Sequence, residues 1–147
     1  MKVERTIEID ASREDVWEKL MDPNCLEDWV SIHKKLVDAP DGQLRKGSEL
    51  TQCLHLAGTN FNVHWKVKEA DRPNRAVWEG RGPVRSKAAV AYELEENGDG
   101  KTLFHYMNEF KSPGGPFGGI VDRITGGTAE RAADKTLQNL KKLLEKG

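Results

Sequence analysis

Apolar side chains return at every second residue through most of the stretch from about His33 to Phe110, and that period admits few folds. Leu50, Gln52, Leu54 and Leu56 form one row, Phe61, Val63, Trp65 and Val67 a second, and Ala76, Trp78, Gly80 and Gly82 a third. Ala88, Val90, Tyr92 and Leu94 follow, then Phe104, Tyr106, Asn108 and Phe110. Successive side chains of a strand point to opposite faces, so each row marks one face of a strand. The intervening residues, such as Asn62, His64, Lys66 and Lys68 or Lys87, Glu93 and Glu95, are mainly polar. Turn signals at Asp41-Gly42, Arg72-Pro73-Asn74 and Asn97-Gly98-Asp99-Gly100 divide the rows. Together they predict an antiparallel meander with one wet face and one covered face.

The C-terminus supplies the cover. Ala129, Ala133, Leu137, Leu140 and Leu144 recur at steps of three or four, with Ala132 and Leu143 alongside, while Lys135, Lys141, Lys142 and Glu145 take the other side. That is the stripe of an amphipathic helix. Carried back to Ile120, the pattern would span about 40 Å at ~1.5 Å per residue, although Gly126 and Gly127 interrupt it. At the other end of the chain, Val3, Arg5, Ile7 and Ile9 alternate with polar residues as a further strand. Ser12 then stands where a helix cap is needed, with Asp15 three residues on, and Val16, Trp17, Leu20 and Met21 form an apolar stripe. Asp22-Pro23-Asn24 stops that helix, and a second short helical turn carries Leu26 and Trp29.

Between the last strand and the long helix, KSPGGPFGGIVDRITGG gathers six of the fourteen glycines, where nucleotide sites place a phosphate loop. The spacing excludes one. Gly119 is followed by Ile120 and Val121 rather than by a lysine and a hydroxyl, and the dinucleotide fingerprint would need glycine where Pro116 or Phe117 stands. The segment reads instead as a gate: Phe117 an apolar plug, and Ile120, Val121 and Ile124 facing a hollow. It is expected to be among the more mobile parts of the chain and to move when a ligand enters.

A chain of 147 residues forms one domain, residues 1–147, and buries ~70% of its unfolded surface without staples. Lys and Arg (23) balance Asp and Glu (24), and the basic residues are scattered, so nucleic acid is not an expected partner. No apolar run approaches the ~18 residues of a membrane span and no secretion signal opens the chain, which points to the cytoplasm. Cys25 and Cys53 read as reduced thiols. Together with His33 and His55 they lack the CxxC or HExxH spacing of a metal site, and no GxSxG elbow is present. No metal or cofactor is expected, and a homodimer through a wet sheet edge is open.

A long helix across a curved sheet leaves a hollow wherever large side chains fail to fill it. The first part of this helix offers alanine and glycine, and its leucines begin at Leu137. The hollow would be lined by Trp65, Trp78, Tyr92 and Tyr106, which in the plainer reading simply fill the core.

The succession of strand, IDASREDVWEKLMDP, a helical turn ending at Trp29, GSELTQ, WKVKEADRPNRAVWEG, GDGKTLFHYMNEF and a long C-terminal helix resembles the bacterial polyketide cyclase/dehydrase-like branch of the Bet v 1/START superfamily. The likeness runs from Glu4 to about Glu145 and rests on fold motifs, none of them a catalytic signature. Arg13 departs from it, standing where proline is frequent, a neutral change in a first helical turn. The resemblance implies an α+β helix-grip fold: a seven-stranded curved antiparallel sheet around a long C-terminal helix, with two short helices after strand 1 and a cavity opening near the loop before the long helix. Members bind aromatic polyketides, sterols, lipids, quinones or plant hormones, and only some are enzymes, so the fold speaks to a cavity more than to a reaction.

Three functions stay open. A carrier or sensor of a hydrophobic small molecule would use Trp29, Gln52, Leu54, Trp65, Trp78, Tyr92, Tyr106 and Asn108, with Phe117, Ile120, Val121 and Ile124. Gln52 and Asn108 are the polar members of apolar rows, and an unpaired buried amide costs ~1–3 kcal/mol. Its partner is then a ligand, a bound water or neighbouring backbone. A cyclase or dehydratase needs an acid-base group and a donor to an enolate oxygen, for which Tyr106, Asn108 and Arg81 are candidates. Arg81, however, shares its row with Glu79 on the wet face, and His55, His64 and His105 fall on outer rows; a one-residue slip of register would turn them inward. A protein-interaction module would use Trp29 and Phe117 as exposed anchors.

Overall fold

The computed structural model describes residues 2–56, 58–111 and 127–145. Its elements are β1 (Lys2–Ile9), α1 (Arg13–Leu20), α2 (Leu26–Trp29), β2 (His33–Asp38), β3 (Glu49–Leu56), β4 (Thr59–Asp71), β5 (Arg75–Arg81), β6 (Lys87–Glu96), β7 (Thr102–Lys111) and α3 (Thr128–Glu145). The strands form one antiparallel sheet in the order β1-β7-β6-β5-β4-β3-β2. The meander therefore runs from β2 to β7, and β1 closes against β7 from the far end of the chain. Irregular pairings between β2 and β3 and between Val67 and Glu69 on β4 bend the strands, as bulges do.

The alternation is obeyed face by face. Leu50, Trp65, Gly80, Ala88 and Phe110 lie in one cross-strand line of the covered face, and each is buried. In the line beside it, on the other face, Arg81 pairs with His64 and Lys87, and all three are exposed. The register is thus the one the apolar rows call for.

Local chemistry sets the short helices. Ser12 Oγ accepts from the Asp15 amide at 3.2 Å, and Asp22 accepts from the Asn24 amide at the turn that ends α1. Val16, Trp17, Leu20, Met21, Leu26 and Trp29 are all buried, each aliphatic or aromatic side chain contributing ~1.5–3 kcal/mol by leaving water. Leu44, from the loop before β3, joins them at 3% exposure, its amide donating to the Met21 carbonyl.

Helix α3 buries Ala133, Thr136, Leu137 and Leu140. Its outer groups tie it to β1: Arg5 Nε bonds Asp134 at 2.7 Å, Lys141 Nζ donates to the Glu8 carbonyl at 2.8 Å, and Glu145 accepts from the Asp10 amide. The expected extension of the helix back to Ile120, and the gate with Phe117, Ile120, Val121 and Ile124, lie outside the described residues. No described helix is long and apolar enough to cross a membrane.

Candidate ligand-binding cavity

Between sheet, α2 and the first half of α3 lies a cavity of about 60 Å³, several times the ~10–15 Å³ one water requires and below the ~300 Å³ where common ligand sites begin. β3 contributes Gln52, Leu54 and Leu56, the middle of the sheet Trp65, Trp78, Val90 and Tyr92, and β7 Tyr106, Asn108 and Phe110. From the other side come Leu26 and Trp29 of α2 and Ala129, Ala132, Ala133 and Thr136 of α3. Eight of the residues that the sequence picks out thus line one cavity: Trp29, Gln52, Leu54, Trp65, Trp78, Tyr92, Tyr106 and Asn108.

The aromatic side chains also pack on one another. Trp65 meets Trp78 edge-on at 5.9 Å, Trp78 meets Tyr92 at 5.7 Å, Trp29 meets Tyr92 at 6.0 Å, and Tyr92 stacks on Tyr106 at 6.2 Å. These are favourable offset and edge geometries. Gly80 makes room for the first: a Cβ there would lie 2.6 Å from Trp65 Cε3, so the indole lies across a bare stretch of backbone.

Gln52 finds side-chain partners at both ends of its amide. Its Oε1 accepts from Trp65 Nε1 at 3.0 Å, and its Nε2 lies 2.9 Å from His33 Nδ1. An indole nitrogen only donates, so the amide is fixed with its oxygen toward Trp65 and its NH2 toward His33. His33 Nδ1 must then accept, which makes the imidazole neutral with its proton on Nε2. Burial pushes the His33 pKa down, against the pull of the Glu27 carboxylate, in the same sense.

Other polar atoms of the wall are unpaired. Trp29 Nε1, Trp78 Nε1 and Asn108 Oδ1 are buried and have no hydrogen-bond partner among the described residues. Asn108 Nδ2 donates to the Tyr106 hydroxyl at 3.1 Å; turning the amide over would only exchange which of its ends is left unpaired. Each such group costs ~1–3 kcal/mol.

No described lining residue carries a charge. The titratable ones are Tyr92 and Tyr106. Burial holds the Tyr92 hydroxyl well above the usual phenol range; burial pushes Tyr106 up to about 12, the Asn108 hydrogen bond partly opposing it. Arg81, offered as a catalytic candidate, is exposed on the outer face and does not line the cavity. His55 and His64 are exposed and His105 is partly so, so no imidazole turns inward from those rows. Among the described residues no cluster of His, Cys, Asp or Glu is arranged to hold a metal, and burial raises the Cys25 thiol pKa.

Trp29 is 1% exposed, which corrects its reading as an exposed anchor. A latch beside it holds it in. The Ser31 amide and hydroxyl both bond Thr136 Oγ1, at 3.0 and 2.9 Å, the Ser31 hydroxyl lies 2.8 Å from the Ala132 carbonyl, and Asn139 donates to the Trp29 carbonyl. The sequence carried one sign of this: Thr136 is a polar residue within the apolar stripe of α3.

The chain matches the family model described as "Polyketide cyclase / dehydrase and lipid transport" over residues 1–145. It is 23% identical over 131 residues, 88% of this chain and 92% of the other, to an uncharacterized protein of Mycobacterium tuberculosis. Among solved structures, a conserved protein of Geobacillus kaustophilus superposes with a TM-score of 0.76 at 22% identity, covering 99% and 96% of the two chains. Protein CV1439 of Chromobacterium violaceum gives 0.74 at 16%, covering 98% and 96%. DynU16, from the dynemicin biosynthetic locus, gives 0.64 at 18%, with this chain spanning 47% of its length. Seven antiparallel strands gripping a C-terminal helix, matched by that family model along nearly the whole chain, make this protein a member of the polyketide cyclase/dehydrase and lipid transport family, within the Bet v 1/START-like superfamily.

Proposed function

We propose that the protein binds a neutral, flat, largely apolar small molecule that carries hydrogen-bonding oxygen, and acts as its carrier or sensor. One observation carries this reading: three buried polar atoms, Trp29 Nε1, Trp78 Nε1 and Asn108 Oδ1, have no partner among the described residues, and all three belong to residues lining the same uncharged cavity. Two donors and one acceptor set in aromatic walls match a ketone or quinone oxygen together with a hydroxyl. A carboxylate would find no cation among the described lining residues and is disfavoured. A guest larger than about 60 Å³ requires the wall to part, and the alanine side of α3 is the side with least packing to lose.

Cyclisation or dehydration is the weaker reading. A phenol with its pKa near 12 is far from the pH-7 match that efficient proton transfer asks for. The interaction-module reading loses Trp29 as its anchor.

Native mass spectrometry of the purified protein and thermal shifts with a panel of compounds test the proposal. Neutral aromatic ketones and hydroxyquinones should raise the melting temperature, and fatty acids should not. Asn108→Leu should weaken the best of them by about tenfold, roughly the effect of one hydrogen bond, with little net change in stability, because it removes the unpaired Oδ1 but also the donor to the Tyr106 hydroxyl. Equal binding of carboxylates, or no shift from any compound together with a bare protein mass, would overturn it.

A further inference from the structure

The turn between β5 and β6 is built against the grain of its sequence. Val84 has φ 55° and ψ 40°, and Arg85 follows at φ 60°. A β-branched residue in the left-handed region is a genuine outlier, and such outliers persist where a site needs a particular presentation. Here the turn holds Val84 74% exposed, an apolar side chain pushed into water at the tip of a hairpin.

Cations flank it. Arg85 is its exposed neighbour, and Arg81 and Lys87 stand directly opposite each other at the base of the turn, on the outer face. Lys87 in turn lies opposite Lys111. Like charges paired across strands destabilise a bare sheet, and among the described residues no ion pair relieves Arg81, Arg85 or Lys87. The nearby carboxylates are engaged or set back: Glu109 sits 3.9 Å from Lys111, and Glu79 lies opposite Lys66. This row backs the inward line of Trp65, Gly80, Ala88 and Phe110, one residue along each strand, so the hairpin stands at the cavity's end of the sheet.

We propose that the β5–β6 hairpin docks on an anionic lipid bilayer, with Val84 entering the headgroup layer and Arg81, Arg85, Lys87 and Lys111 against the lipid phosphates. A single aliphatic tip flanked by cations suits an interface that is apolar below and anionic above. Single-stranded nucleic acid would ask instead for an aromatic platform among the cations, and none of the residues from Arg81 to Lys87 is aromatic; a duplex, bound through its phosphates, would have no use for the apolar tip. The inference stands apart from whatever the cavity holds.

Co-sedimentation with phosphatidylcholine vesicles, with and without phosphatidylglycerol, tests it. The protein should bind the anionic vesicles at low salt, leave them at high salt, and ignore the neutral ones. Neutralising three charges (Arg81→Gln, Arg85→Gln and Lys87→Gln together) should lower the partition coefficient by about a hundredfold, at roughly fivefold per cation. Val84→Asp should also weaken binding and Val84→Leu should keep it, whereas Lys34→Gln, on exposed β2, should change nothing. Val84→Gly, which relieves the backbone, separates folding from docking: it should melt no lower than wild type and still bind less. Three results would overturn the proposal: no sedimentation with anionic vesicles, equal binding by the triple variant, or vesicles displaced by duplex DNA with Val84→Asp indistinguishable from wild type.

Discussion

Leu137 and Leu140, in the second half of α3, are 3% and 0% exposed and share one buried cluster with Ile9, Val16, Leu20 and Phe104. Ala129, Ala132 and Ala133, in the first half, touch the same cluster but also line the cavity. Both halves belong to one helix on one sheet, yet something separates the two ends. Side-chain volume does: leucine fills the gap between helix and strands to the density of a protein interior, and alanine leaves part of it for something else. One end of the molecule is packed for stability and the other, on the function proposed above, for occupancy.

The largest expected effect breaks the filled end. Leu140→Ala should cost ~2–5 kcal/mol of unfolding free energy, as a deleted core leucine does, measured by urea denaturation. The folded fraction should bind the best compound of the thermal-shift panel as the wild type does. If affinity fell in step with stability, the two ends would not be separable. Next is the converse change. Ala133→Leu places the missing volume at the hollow end and should reduce affinity for the same compound at least tenfold, while stability moves by no more than the ~1–3 kcal/mol of an overpacked site. Unchanged affinity would mean that the guest does not sit under Ala133.

The smallest effect is electrostatic and confined to the hollow end. Folding disfavours the His33 imidazolium, so the unfolded chain binds that proton more readily. The contribution is fully present above the ordinary histidine pKa of ~6.5 and is lost as pH falls below it. Unfolding free energy followed from about pH 7 to about pH 5 should decline with a His33-dependent component, and His33→Gln should remove that component. A profile identical in the variant would disconnect His33 from Gln52 and Trp65.

Much of this architecture was legible in the sequence because a period of two or of 3.6 residues encodes which way a side chain faces. The rows from Leu50 to Phe110, the cap at Ser12, the outward placement of Arg81 and His64, and the change from alanine to leucine along α3 could all be read that way. Partnerships across strands could not. Nothing in the spacing of Gln52 says that Trp65 and His33 will take both ends of its amide. Trp29, closing a short helix, reads equally well as a surface anchor until the Ser31–Thr136 latch turns it inward. The basic row is invisible for a related reason: Arg81, Lys87 and Lys111 are scattered in sequence and become neighbours only through strand register. The gate residues Phe117, Ile120, Val121 and Ile124 lie outside the described residues.

Gly80 bears on how such a chamber can change its guest. A single methyl at that position would have to occupy the place now taken by the edge of Trp65, tilting the indole away from its hydrogen bond with Gln52 and into the hollow. The residue does not line the cavity, yet it sets how much room the cavity has. Selectivity in this fold can therefore drift through a backbone position behind the wall, by substitutions that a comparison of wall residues alone would score as silent.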